Sequence, residues 1–199
     1  MNNDNSSFVS AILLAAGEST RMGEPKLLLP FGDGTVLGKT VDNVLSCNAD
    51  EVIVVLGANA EKTRQALAGK PVKIVMNPDY SQGMSTSLIC GLKQVDRRAL
   101  RIMVALSDQP LIEKDTYNKL IKESISSSKG ITVPLYKARR GNPIIFAAGY
   151  KDEMLQLRGD VGGRELLQRH PEDVYEVAVD SGSIYINLNT MDDYNSALN

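Results

Sequence analysis

Val9-Ser10-Ala11-Ile12-Leu13-Leu14-Ala15, closed by Ala16-Gly17, is the stretch on which the fold turns. A short aliphatic run ended by a glycine, apolar on both faces, is a buried strand. Runs of the same kind return at Glu51 to Leu56, Val72 to Met76 and Arg101 to Leu106. Helical spacing fills the intervals. It is clearest in Thr35 to Ser46 (Val36, Leu37, Val41, Val44, Leu45) and Met84 to Val95 (Leu88, Ile89, Leu92), and recurs in Asn59 to Leu67 and Asp115 to Ser124. Strands apolar on both faces that alternate with helices imply a parallel sheet covered on both sides. Further on, Gly130 to Pro134, Pro143 to Ala147 and Ser183 to Asn187 read as short strands, and Glu165 to His170 as a short helix. Thr190 to Ala197 reads as a closing helix, with Thr190 and Asp193 at capping-box spacing. The expectation is one three-layer, Rossmann-like α/β domain with a mainly parallel sheet over residues 8–199, behind a flexible tail at 1–7. In such sheets ligands bind beyond the carboxyl ends of the strands.

Composition narrows the partners. The chain has 22 basic against 24 acidic residues, a net charge of −2, which argues against general nucleic-acid or membrane-surface binding. An anionic ligand must be held by local positive potential. Cys47 and Cys90 form no CxxC, and with His170 as the one histidine there is no plausible zinc set. Two reduced thiols beside apolar helices and a histidine at a helix end are the expected roles. No GxSxG accompanies His170. Met1 to Phe8 lacks the basic then apolar order of a signal peptide, and no apolar run approaches membrane-spanning length, so the expected location is the cytoplasm.

The chemistry concentrates after the first strand, in Leu13-Leu14-Ala15-Ala16-Gly17-Glu18-Ser19-Thr20-Arg21-Met22-Gly23-Glu24-Pro25-Lys26. Small residues at Ala15, Ala16 and Gly17 leave backbone N–H groups able to face phosphate oxygens. Gly17 and Gly23 permit tight turns. Arg21 can grip phosphate as a fork and Lys26 can act as a point charge. A triphosphate suits this set, although a glycine-containing turn is also simply how doubly wound sheets connect. The loop is not GxxxxGK[ST], because Met22 stands where the second glycine belongs. Nor is it GxGxxG, because Ser19 occupies the middle glycine's place; an NAD-dependent oxidoreductase would lack its fingerprint here.

These residues resemble the nucleotidyltransferase family with the signature L-A-A-G-x-S-x-R-M-G-x-x-K, and specifically its molybdenum cofactor cytidylyltransferase branch. Leu14, Ala15, Ala16, Gly17, Ser19, Arg21, Met22, Gly23 and Lys26 all stand in place. The likeness continues through Asn77-Pro78, Gly83-Met84-Ser85 and Ser87-Leu88, then Ser107-Asp108-Gln109-Pro110, Arg140-Gly141-Asn142-Pro143, Gly159-Asp160 and Gly163-Arg164. It implies a nucleotide-diphospho-sugar transferase-like fold. The implied reaction is Mg2+-dependent transfer of a nucleoside monophosphate, CMP from CTP, to the phosphate of molybdopterin with release of pyrophosphate. A molybdoenzyme of the xanthine dehydrogenase type would be the downstream partner.

Within that resemblance, Arg21, Lys26 and Asp108 are the catalytic candidates. Asp108 follows a strand, where a carboxylate suits Mg2+; helix capping is its alternative. Nucleotide-binding candidates are Leu14, Ala15, Ala16, Gly17, Asp79, Gly83, Met84 and Ser87, with simple N-capping an alternative for the hydroxyl. The basic stretch Tyr136-Lys137-Ala138-Arg139-Arg140 invites an anionic second substrate, with Arg140, Asn142 and Arg164 fitting the pattern; a solvated loop is the alternative for Lys137 and Arg139. Where the cytidylyltransferase pattern has Asp-x-Asp-Thr, this chain has Asn187-Leu188-Asn189-Thr190, the form of the guanylyltransferase relatives. Asn187 and Asn189 are therefore metal candidates with neutral oxygens, and GTP stands beside CTP. A sugar-phosphate or methylerythritol-phosphate nucleotidyltransferase and a non-catalytic cofactor carrier are the remaining alternatives.

Overall fold

The computed structural model describes residues 7–19 and 22–198. Residues 1–6 of the tail expected at 1–7, and Arg21, lie outside them. Strand β1 is Val9–Ala15, with every residue buried. A small hairpin follows, β2 Pro30–Phe31 against β3 Gly34–Thr35, and leads into α1 Val36–Leu45. The Thr35 hydroxyl accepts the Gly38 N–H at 3.0 Å, which supplies the cap that starts α1. Then come β4 Glu51–Leu56, α2 Ala60–Gln65, β5 Lys73–Met76, α3 Met84–Leu92, β6 Arg101–Leu106 and α4 Lys114–Ser126. The remainder is β7 Ile131–Tyr136, β8 Arg139–Arg140, β9 Ile144–Ala147, α5 Lys151–Met154, α6 Arg164–Arg169, β10 Val174–Ala178 and α7 Met191–Ala197.

The sheet runs β10-β7-β9-β6-β1-β4-β5, with β8 paired to the end of β7. β1 lies parallel between β4 and β6, pairing Ile12 with Ile53 and with Val104. The pleat sends alternate residues of β1 to opposite faces. Ala11 and Leu13 join a core with Leu37, Val41, Tyr117 and Leu120 on one side. Ile12 and Leu14 join Leu88, Leu92, Phe146 and Leu166 on the other. One strand thus seeds both cores, which is why it carries almost no polar residue. β9 runs antiparallel to β6 and β7, since a chain turning straight back from β7 needs no helical crossover.

Two expectations need correction. Ser183 to Asn187 is no strand: Gly182–Tyr185 forms a 3-10 turn, begun by the Ser181 hydroxyl accepting the Ser183 N–H. The Ile184 carbonyl is taken by the Asn142 N–H at 2.7 Å and not by a ladder partner. Its apolar alternation comes from Ile184 packing inward while Ile186 stays at the surface. The second is β10, an edge strand parallel to β7, which adds a strand where the periodic reading marks none. At the closing helix the expected capping box is present, with Thr190 and Asp193 exchanging side chain and backbone bonds.

Strands β1, β4 and β5 succeed one another outward, and the chain then returns to the other side of β1 as β6. The direction of strand order reverses between β1 and β6, so the loops leaving these two strands flank the crevice where such sheets hold ligands.

Candidate active site

The two strand exits are clamped together before they diverge. Ser107 donates both its N–H, at 3.2 Å, and its hydroxyl, at 2.7 Å, to the Leu14 carbonyl. The buried Thr40 hydroxyl donates to the Ser107 carbonyl at 3.0 Å. Asp108 therefore leaves β6 at a fixed place beside the end of β1.

The loop from β1 is tied across its neck. Ser19 sits at φ 57, in the left-handed region, and its hydroxyl accepts the Lys26 N–H at 3.2 Å. Leu27 is buried in the core and anchors the short 3-10 turn Lys26–Leu28. Lys26 Nζ then meets Asp108 Oδ2 at 2.5 Å and Asn189 Oδ1 at 3.1 Å. The Lys26 and Asp108 side chains are only 15% and 12% exposed, so their charges act where water screens weakly. Asn187 Nδ2 donates to Asp108 Oδ1 at 3.1 Å, and the Leu188 N–H donates to the Asp108 carbonyl at 3.0 Å. Four of the expected residues, far apart in the chain, converge here. Arg21, the remaining catalytic candidate, lies outside the described residues.

A cleft opens over this cluster in two lobes that share Leu14, Met84, Leu106, Asp160, Asn187 and Asn189. The first, about 660 Å³, is walled by Ala16, Gly17, Lys26, Gly83, Ser87 and Asp108. A Cβ on Gly17 would meet nothing within 4 Å, so this backbone faces open space. Ala15 is buried in the sheet and contributes backbone position only. The second lobe, about 700 Å³, has an apolar floor of Val104, Leu106 and Ile144 beneath Asn142, Arg164 and Arg169. Both volumes suit a small-molecule ligand. Arg169 is paired with Glu153 and Glu165, whereas Arg164 has no carboxylate partner among the described residues.

Gly83 explains how the lobes are joined. It has φ 114, and a Cβ there would stand 2.4 Å from the Gly159 carbonyl carbon. The Gly159 carbonyl accepts the Ser85 N–H at 3.2 Å, and Asp160 Oδ1 accepts the Met84 N–H at 3.3 Å. The 159–160 turn thus sits on the N-terminus of α3. Asn77 braces the same helix, its amide donating to Thr86 and Ser87 hydroxyls at 2.9 Å each. Burial pushes the thiol pKa of Cys90, whose Sγ lies 3.6 Å from Asn77 Oδ1, above its usual value. Both cysteines are free thiols.

Three expected site residues are placed differently. Asp79 is exposed and outside the cleft; its carboxylate accepts the Gln82 amide at 3.0 Å, while Tyr80, Ser81 and Gln82 reach the wall. Arg140 lies on the β8 edge, paired with Glu176 at 2.6 Å, because β10 brings that carboxylate beside β7. Asn187 turns its nitrogen, not its oxygen, to Asp108, since its Oδ1 accepts from Gln109 Nε2 at 3.3 Å. Arg139 stacks on Tyr185, 4.3 Å from the ring centroid, away from the cleft. The motif reading passed over Glu18, Asp160 and Gln168, which line the cleft, and the buried Gln109 beneath it. Asp160 had a signal in Gly159-Asp160 and Gln109 one in Ser107-Asp108-Gln109-Pro110, whereas Glu18 and Gln168 had none of their own.

As to a metal, Asp108 offers one carboxylate and Asn189 one amide oxygen, a hard-oxygen pair fit for a divalent cation that completes its shell on phosphate and water. No cluster of three or more His, Cys, Asp or Glu able to hold a metal occurs among the described residues. Among them, too, no helix is long and apolar enough to cross a membrane.

Residues 11–174 match the family model described as the MobA-like NTP transferase domain. The chain is 34% identical over 170 residues to nicotine blue oxidoreductase of Paenarthrobacter nicotinovorans, covering 82% of this chain and 83% of that one. It is 27% identical over 192 residues to the molybdenum cofactor cytidylyltransferase of Escherichia coli K12, covering 96% of both. The crystal structure of Rv0371c from Mycobacterium tuberculosis H37Rv superposes with a TM-score of 0.89 at 34% identity, over 96% of this chain and 97% of that one. A structure of Rv0371c in complex with manganese gives a TM-score of 0.84 at 32% identity, over 96% of this chain and 98% of that one.

Proposed function

We propose that this chain, which belongs to the MobA-like NTP transferase family of nucleotidyltransferases, transfers CMP from CTP to the phosphate of molybdopterin and releases pyrophosphate. The observation that carries this reading is the meeting of Lys26 and Asp108 over the β1–β6 crevice, 2.5 Å apart, beside a second lobe edged by Arg164. The first lobe takes the triphosphate against the Ala16-Gly17 backbone and Lys26. The second takes an acceptor with a flat apolar body and an anionic end, matched by Val104, Leu106 and Ile144 and by Arg164.

In the proposed reaction an acceptor phosphate oxygen attacks the α-phosphorus in line and the bond to the pyrophosphate oxygen breaks. The nucleophile is already ionised near neutral pH, so no side chain need remove a proton. What the protein supplies is position and charge. Lys26 neutralises the charge growing on the phosphate oxygens. The Leu14–Ser107 clamp holds Asp108 in place, and Arg164 orients the acceptor. A divalent cation, Mg2+ or the Mn2+ seen with the Rv0371c protein, would be held by Asp108 and Asn189 and would neutralise phosphate charge.

The test is pyrophosphate release from CTP, GTP, ATP and UTP with molybdopterin and Mg2+ or Mn2+, beside sugar-phosphate and methylerythritol-phosphate acceptors. CTP with molybdopterin should give the largest kcat/KM. Preference for GTP would move the reading to a guanylyltransferase, as Asn187-Leu188-Asn189-Thr190 suggests. Stoichiometric binding without turnover would make the chain a cofactor carrier. A second reading follows from the 34% identity to nicotine blue oxidoreductase. Reduction of nicotine blue by a supplied reductant, without pyrophosphate release, would support it.

A further inference from the structure

Gln109 follows Asp108 directly and is 0% exposed. Its Nε2 donates to the Ile184 carbonyl at 3.1 Å and to Asn187 Oδ1 at 3.3 Å, which uses both amide hydrogens. The Ile184 carbonyl can only accept, so it fixes which end of the Gln109 amide faces it. That nitrogen in turn requires the oxygen of Asn187. The Asn187 nitrogen is thereby turned onto Asp108 Oδ1, 3.1 Å away. Reversed, the Asn187 amide would set oxygen against carboxylate and NH2 against NH2, two repulsive contacts at once. The other end of Gln109 is poorly served: its Oε1 is buried and finds no donor among the described residues. A buried acceptor left unpaired is destabilising. An aliphatic side chain would suit this place in the core better, so the donor end is what the site uses.

We propose that Gln109 is a positioning residue for the transfer reaction: it sets the Asn187 amide so that Asn187 serves Asp108 as a hydrogen-bond donor and not as an oxygen ligand. This rests on the reading that Asp108 acts in nucleotidyl transfer. Asp108 is then restrained at both carboxylate oxygens, by Asn187 on Oδ1 and Lys26 on Oδ2. The oxygens that would hold a cation are then those of Asp108 and Asn189, which Lys26 also contacts. The Ile184 carbonyl also accepts the Asn142 N–H at 2.7 Å, so the chain of bonds that orients Asp108 reaches the wall of the second lobe.

The test uses the full chain carrying Gln109→Leu, Asn187→Ala, or both. Leucine fills similar volume, and the Ile184 carbonyl keeps Asn142 as its partner, so the Tm should not fall. Expected for Gln109→Leu is a loss of about tenfold in kcat, as for other residues that orient a site group, with KM for CTP within about twofold. In the Asn187→Ala background the same substitution should add less than about twofold, because its effect travels through Asn187. An equal loss in both backgrounds, or no loss at all, overturns the proposal. Side-chain 15N NMR gives a readout independent of turnover. The Asn187 amide protons should exchange slowly in the wild type and faster in Gln109→Leu, and unchanged exchange overturns the proposal. A wild-type chain that transfers no nucleotide would sink the functional reading, while the NMR result would still decide the relay.

Discussion

Replacing Lys26 with alanine separates a structural ion pair from a catalytic one. In the folded chain Lys26 Nζ lies 2.5 Å from Asp108 Oδ2, with the two side chains 15% and 12% exposed. Orphaning a fully buried charge costs about 3–5 kcal/mol, whereas losing an exposed pair costs about 0–1. Here Asp108 keeps the Asn187 donor at 3.1 Å and has some water, so the loss should be about 1–2 kcal/mol. For a chain of 199 residues that is a fall of about 2–8 °C in Tm. Catalysis should suffer more, because a preorganised charge facing developing charge is worth about 100- to 1000-fold, or about 2.7–4 kcal/mol. The assay is pyrophosphate release at saturating CTP and acceptor, well below the variant's Tm. Asp108→Ala should act similarly, and the double variant should lose less than the product of the single losses, since the pair works as a unit. A variant whose Tm falls as forecast while kcat stays within about twofold would refute the reasoning and leave a structural salt bridge.

Other outcomes follow from the same geometry. Gly83→Ala places a side chain at φ 114 and 2.4 Å from the Gly159 carbonyl carbon, so it should cost at least about 1–3 kcal/mol in urea unfolding and raise KM for both substrates. Arg164→Ala should raise KM for the acceptor about tenfold with KM for CTP unchanged, as steady-state titrations would show; equal effects on both would move Arg164 out of the acceptor lobe. Asp173 is held below the usual carboxylate range by the Tyr150 hydroxyl, at 2.6 Å, and the Gly130 N–H, at 2.9 Å. A pKa lowered on folding means its stabilisation is complete above the unfolded value, about pH 4, and is lost as pH falls through the lower folded value. Urea midpoints between about pH 5 and 2.5 should therefore fall more steeply in the wild type than in Asp173→Asn.

Much of the fold was legible because its signals are local. The limits of β4 and β6 coincide with the aliphatic runs Glu51–Leu56 and Arg101–Leu106, and α1, Val36–Leu45, falls within the stretch Thr35 to Ser46 marked by the spacing of Val36, Leu37 and Val41. The failures were elements stabilised from elsewhere. Residues 183–187 alternate like a strand, but Asn142 and Gln109 donate hydrogen bonds to that segment, and Asp108 accepts from it and from its neighbour Leu188. β10 is an edge strand whose half-buried residues carry a weak periodic signal.

The sequence by itself determined a parallel α/β domain of the nucleotidyltransferase kind and named Lys26, Asp108, Asn187 and Asn189 as the groups to watch. Only the tertiary structure decided that Lys26 and Asp108, 82 residues apart, touch. It also decided that Asp79 and Arg140 stand outside the cleft, and that Gln109 turns Asn187 toward Asp108 by its nitrogen. Periodicity and turn chemistry depend on neighbours within a few residues, so one chain reveals them. Contact across the sheet depends on strand order and register, and the orientation of an amide depends on its partners, neither of which is written near the residues concerned.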